Sequence, residues 1–190
     1  MDSTLSGAIE YVHIRTPLTI ALKDAHSLLD NIAKDKTGRN AIAIRVQKPS
    51  GLAAEWSMPW EKALVDYEKG HTLHLEELAK TFAAQNEEDG AFSNKFFFRA
   101  KQLIESYPTM EQEALEKLLL AEYLHSFGRS SKTLSEGEQN ALEKLRDQCQ
   151  NWQRPEAGKA AAINKKEPFN PDAALVVRFL AQKGMERESA

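Results

Sequence analysis

Between residues 8 and 46 the apolar positions change period twice, from alternation to helical spacing and back, and this constrains the fold most. Residues 8–15 read AIEYVHIR. Ala8, Glu10, Val12 and Ile14 share one face, and Ile9, Tyr11, His13 and Arg15 the other. The β-branched and aromatic content predicts a strand. Pro17 ends it, because proline cannot donate to a ladder. From Leu18 to about Lys34 the apolar residues are Leu18, Ala21, Leu22, Ala25, Leu28, Leu29 and Ile32, a helical stripe. Thr16 before Pro17 predicts an N-cap with proline at the first helical position, and Gly38 a stop. Residues 41–46, AIAIRV, then place Ile42, Ile44 and Val46 on one side. Strand, helix, strand is the pattern of a crossover between parallel strands. Two strands make no stable sheet alone, so the unit has to pack on something else.

After Gly51 the sequence predicts helices. Pro59 opens one from Trp60 to about Lys69, and Leu75, Leu78, Ala79 and Phe82 mark another over 72–85. Residues 86–90 read as an acidic loop, and Phe96, Phe97, Ala100, Leu103 and Ile104 mark a helix over 93–106. Thr109 with Gln112, and Ser135 with Glu138, have capping-box spacing. The helices they open are predicted to reach His125, with Gly128 as stop, and Trp152. Residues 154–168, rich in Ala, Lys and Pro, read as a mobile connector before a last helix begun at Asn170-Pro171, with Ala174, Leu175, Val177 and Leu180 docked. The predicted class is α+β: a strand-helix-strand unit over 4–52, then an all-α bundle over 57–190.

Composition narrows the chemistry. A formal charge of −3 excludes nucleic-acid binding by bulk electrostatics, so any such contact has to come from a local patch or a larger assembly. The single Cys149 excludes an internal disulfide and a four-cysteine zinc site; with no histidine beside it in sequence it reads as inert core. No apolar run approaches the ~18–20 residues of a membrane span, which predicts a soluble, cytoplasmic chain. His71 and His74 have ligand spacing but no third partner motif, and read as surface or capping residues. No GxSxG, GxxxxGKS or GxGxxG occurs. The helices over 72–106 could imitate a helix-turn-helix, but Glu87, Glu88 and Asp89 in the loop oppose DNA phosphate. Three consecutive phenylalanines, Phe96, Phe97 and Phe98, cannot share one narrow helix face, so at least one is an interface candidate. Lys34, Lys36, Arg39, Arg45 and Lys48 are predicted to cluster near the end of the first helix and the second strand, where they could meet phosphate.

The stretch from Ser6 to Gly51 resembles the closing part of the second Palm domain in the large subunit of type III CRISPR effector complexes. The matching positions are Ser6-Gly7-Ala8, His13-Ile14-Arg15-Thr16-Pro17-Leu18, Ala33-Lys34, Gly38-Arg39-Asn40 and Lys48-Pro49-Ser50-Gly51, with Trp60 after Pro59. The family has Ser-Ala-Gly where this chain has Ser-Gly-Ala, and one residue fewer between lysine and glycine. Similar logic recurs in the distantly similar GGDEF nucleotide cyclases. The resemblance implies a ferredoxin-like Palm remnant, with the helices from Trp60 onward in the place of the family's C-terminal helical domain. It implies Ser6, Lys34 and Arg39 as nucleotide-contact candidates. The family's GGDD hairpin, which holds metal ions and triphosphate, precedes this segment, so the chain reads as an excised piece or one half of a split subunit. No cofactor and no catalysis are expected from this chain alone. ATP and a divalent metal are implied only with the GGDD half, for cyclic oligoadenylate synthesis in RNA-guided antiviral defence. The implied partners are the remainder of the large subunit, the small helical subunit and the backbone subunits of the ribonucleoprotein, with guide and target RNA indirectly. The rival reading is a stand-alone helical DNA-binding or adaptor protein.

Overall fold

The computed structural model describes residues 4–66, 68–69, 72–89, 94–127, 134–154, 163–166 and 169–183. The class is α+β, as predicted, and the chain divides into two compact units. One comprises Met1–His71 with Asn151–Lys166, the other Thr72–Gln150 with Glu167–Ala190.

In the first unit, β1 (Gly7–Tyr11) leads into α1 (Leu18–Ser27), a π-helical segment (Leu28–Lys36) and β2 (Ala41–Lys48). The crossover returns β2 parallel to β1, with Gly7 opposite Ile42 and Tyr11 opposite Val46. A third strand, β3 (Gly51–Pro59), pairs antiparallel with β2 and gives the order β1-β2-β3. This corrects the expectation of helices directly after Gly51. Within β3, Ala54, Trp56 and Met58 are buried in alternation with half-buried Glu55 and Ser57. Ala53-Ala54-Glu55 masks that period with helix formers. Residues Pro49-Ser50 make the tight turn, and Gly51 takes φ 113° beside it.

Each face of the sheet is covered differently. Ala8 and Ala43 meet Leu28, Leu29, Ile32 and Ala33 of the crossover. On the other face Ile9, Ile44 and Trp56 form one row across the three strands. Ile42, Ile44 and Val46 are buried as the alternation predicts, but Ile9 on the outer strand is 39% exposed.

Other boundaries shift for local reasons. β1 stops at Tyr11 because residues 13–16 turn back, with Thr16 N donating to His13 O at 2.8 Å. Thr16 is therefore not the helix cap; Pro17 occupies that place, and its carbonyl accepts from Ile20 N and Ala21 N. No residue of α1 is fully buried, and the fully buried part of the stripe begins at Leu28. The helix α2 (Trp60–Ala63) is a single turn. Asp66 ends the helical tendency by accepting from the backbone N–H groups of Glu68 and Lys69, a local turn that competes with helix. Residues 164–166, expected within a mobile connector, form β5 (Asn164–Lys166), paired antiparallel with β4 (Asn151–Gln153). Residues 155–162, 167 and 168 of that stretch, and Gly128, lie outside the described residues.

The second unit holds α3 (His74–Asp89), α4 (Asn94–Ser106), α5 (Gln112–Phe127), α6 (Glu136–Gln148) and α7 (Asp172–Lys183). The capping box at Ser135 and Glu138 is formed in both directions. Glu138 also accepts from Tyr123 Oη at 2.9 Å, which ties the cap to α5. The one expected at Thr109 and Gln112 is not: α5 begins at Gln112, whose amide donates to Asp147 at 3.3 Å. The helix predicted to reach Trp152 ends at Gln148, because residues 151–153 join β4. Asn170 Oδ1 accepts from Asp172 N and opens α7. There Ala174 and Val177 are buried as expected, with Val176 rather than Leu175 beside them.

Phe82, Phe96, Phe97 and Tyr123 form a buried ring cluster, Phe96 against Tyr123 at 5.4 Å and Phe97 against Phe82 at 5.3 Å, both edge-on. Phe98 is 50% exposed beneath the Arg178 guanidinium. Phe96→Ala and Phe97→Ala are each expected to cost about 3–5 kcal/mol. Phe98→Ala should cost about 1 kcal/mol, the worth of a partly exposed cation–π contact. Denaturant midpoints of the three variants check this ranking.

Candidate nucleotide-contact edge

Parallel pairing brings the starts of β1 and β2 to one edge of the sheet, and the antiparallel β3 brings its end there, with Ala41 opposite Pro59. Ser6 directly precedes β1 and is half-buried. Trp60 staples this edge. Its indole N–H donates to Leu5 O at 2.8 Å, its backbone N–H to Asn40 O at 3.0 Å, and its ring lies where a Cβ on Gly7 would touch it, at 3.4 Å.

The turn between the π-helical segment and β2 is built on left-handed backbone. Gly38, Arg39 and Asn40 have φ of 93°, 63° and 46°. Thr37 N donates to Ile32 O, the wide hydrogen bond of a π-helix, and Arg39 N donates to the carbonyls of Ala33 and Lys34. Buried Thr37 donates through its hydroxyl to Ser57 at 2.8 Å. Glu61 accepts from Asn40 Nδ2 at 3.2 Å and pairs with Arg154. Arg154 in turn donates its backbone N–H to Thr37 O at 3.0 Å.

Of the candidate residues, Ser6, Lys34 and Arg39 fall at this edge. Lys34 is paired to Asp30 at 2.7 Å, with both side chains largely in solvent, and the lysine holds the Asp30 carboxyl below its usual range. The exposed Arg39 makes no ion pair among the described residues. The expected five-residue basic cluster does not form. Arg45 points to the helix-covered face and binds Glu55 at 2.7 Å, beside Glu10, whose carboxyl is pushed up by burial and only partly pulled back by Arg45. Lys48 ends β2, roughly 23 Å along the strand from Ala41. Lys36 pairs loosely with the same Glu55, at 4.0 Å. Alternation explains the scatter: neighbours on a strand face opposite ways, and its two ends lie a strand length apart.

Elsewhere, burial pushes the Cys149 thiol up to about 12. Burial lowers the pKa of His74, with the Lys144 charge acting the same way, while His71 lies outside the described residues. Among the described residues no group of three or more His, Cys, Asp or Glu is placed to hold a metal, and no helix is long and apolar enough to cross a membrane.

Residues 1–43 match the Cas10/Cmr2 second palm domain. In this segment the chain is similar to the large subunit of type III CRISPR effectors. The match ends three residues into β2, so it takes in β1, the crossover and the Gly38-Arg39-Asn40 turn but not the part of the resemblance from residue 44 onward. The chain is also 28% identical over 144 residues to the CRISPR system Cmr subunit Cmr2 of Pyrococcus furiosus. That alignment takes in 75% of this chain, so the similarity continues well past the palm segment, and it spans only 15% of the length of that relative. Sequence reasoning found the Gly38-Arg39-Asn40 turn and singled out Trp60 without its place, and it missed Glu61 and Arg154. Pro59-Trp60 was the available signal, and only the third strand gives it a place.

Proposed function

We propose that the chain supplies the last part of the second palm domain and the C-terminal helical part of a type III CRISPR large subunit, in RNA-guided antiviral defence. The observation that carries this is the state of β1. It is the outer strand of the three-stranded sheet, matches the palm family, and is flanked by exposed aliphatic residues: Leu5 at 74%, Ile14 at 94% and Leu18 at 71%. An outer strand with an apolar margin is a surface for further sheet or another subunit. In this reading the remainder of the large subunit adds to β1 and brings the GGDD hairpin, ATP and divalent ions. Ser6, Lys34 and Arg39 then contact nucleotide phosphate, and Phe98 is an exposed aromatic of the helical unit offered to a neighbouring subunit.

The test is incubation with ATP and magnesium or manganese, with products separated by chromatography. The chain alone is expected to give no cyclic oligoadenylate. Mixed with the remainder of the large subunit it should co-purify and give product. Product from the chain alone, or failure of the two parts to associate, overturns the proposal.

A further inference from the structure

We infer that the open edge of β1 receives a β-strand that sets an apolar residue beside Ile9 and a lysine or arginine beside Glu10. This rests on the palm reading above and names what the strand filling that edge has to carry. β1 is an outer strand of the order β1-β2-β3, and no described strand lies on its other side. Two neighbouring rows of side chains cross the sheet and stop there. One is Ile9, Ile44 and Trp56; Ile44 and Trp56 are buried, and Ile9 at the margin is not. The other, one residue along and on the opposite face, is Glu10, Arg45 and Glu55.

Charge in the second row is unbalanced. Arg45 donates through both Nε and Nη2 to one oxygen of Glu55, at 3.1 and 2.7 Å. Lys36 also approaches Glu55, so both cations are drawn to the far end of the row. Both carboxylate oxygens of Glu10 are buried, and neither accepts a well-formed hydrogen bond from a described residue. Burial pushes this carboxyl up; Arg45 and the Gln47 amide pull it back only in part, against the charges of Asp24 and Glu55.

The arrangement selects the occupant. A carboxylate out of water without a donor is costly, and a charged donor relieves it best. Directly opposite residues of paired strands have Cβ atoms about 5 Å apart, so a basic side chain opposite Glu10 reaches it. The row then alternates cation, Glu10, Arg45, Glu55. Consecutive residues on a strand face opposite ways, so the neighbour of that basic residue completes the Ile9 row. A second copy of this chain does not fit. Gly7–Tyr11 contains no basic residue, so pairing β1 with itself offers Glu10 no cation in any register within the strand.

The experiment titrates the full chain with the remainder of the large subunit and melts each variant alone. Glu10→Gln should weaken association about tenfold or more, since it removes one partner of a buried charge pair. The same variant should raise the melting temperature of the free chain by a few degrees. Because folding raises this pKa, the ionised form above it costs the fold stability, and a neutral amide spares that cost. A residue with a merely structural role would not give opposite signs in the two measurements. Ile9→Thr should weaken association about fivefold. Leu52→Thr, at an exposed residue of β3, should associate like the parent. If the parent associates and Glu10→Gln associates equally well, the palm reading stands and this inference falls. If the parent does not associate, both fall. The inference is also overturned if Glu10→Gln melts lower than the parent, which would mean that Glu10 is already satisfied within the chain, or if Leu52→Thr loses as much affinity as Ile9→Thr.

Discussion

Gly38→Ala is expected to destabilise the first unit by about 3 kcal/mol or more, from strain and lost contact together. A Cβ at Gly38 would lie 2.2 Å from the carbonyl oxygen of Arg154 and 2.9 Å from its Cβ. Neither atom is the free end of a flexible chain, so the β4 segment has to lift away. Lifting it breaks the hydrogen bond from Arg154 N to Thr37 O, worth about 1 kcal/mol, and separates Arg154 from Glu61. The backbone adds its own cost, since φ of 93° is one that residues with a side chain avoid. Gly51 provides the control. Its φ is 113°, yet nothing lies within 4 Å of where its Cβ would be. Gly51→Ala therefore reports strain alone, about 1–2 kcal/mol. Thermal melts of both variants check the difference; equal losses would mean that β4 is not seated on this turn.

That contact also shows where sequence reading stopped. The strand–helix–strand unit was legible because each element has its own apolar period. So was the buried row Ile42, Ile44 and Val46, which needs only alternation. β3 was not, because Ala53-Ala54-Glu55 reads as helix and Trp56 and Met58 find their place only against β2. β4 and β5 are three residues each, too short to carry a period, and they return to the first unit from nearly a hundred residues along the chain. Their placement depends on Gly38, Thr37 and Glu61, which sequence spacing cannot connect to Arg154.

The candidate edge follows the same division. Ser6, Lys34 and Arg39 were found by resemblance, and parallel pairing then explains why residues so far apart in sequence stand at one edge. Arg45 and Lys48 were grouped with them because they are near in sequence, and the strand separates them.

Ile44→Asp is expected to prevent the first unit from folding. Ile44 is 1% exposed, in the middle of the central strand, opposite Ile9 on one side and Trp56 on the other. Removing the side chain from an apolar site costs about 2–5 kcal/mol. Placing an unpaired carboxylate there adds several more, or requires it to stay protonated well above its ordinary range. The nearest cation in sequence cannot help. Arg45 is on the opposite face of the strand and is already held by Glu55. The sum, of order 5–10 kcal/mol, reaches the whole stability of a typical domain. Ile44→Val, which removes one methylene, should cost only about 1 kcal/mol and leave the unit folded. Circular dichroism melts of the two variants decide the matter. If Ile44→Asp melts like the parent, β2 is not the central buried strand, and the palm-like sheet built on it fails.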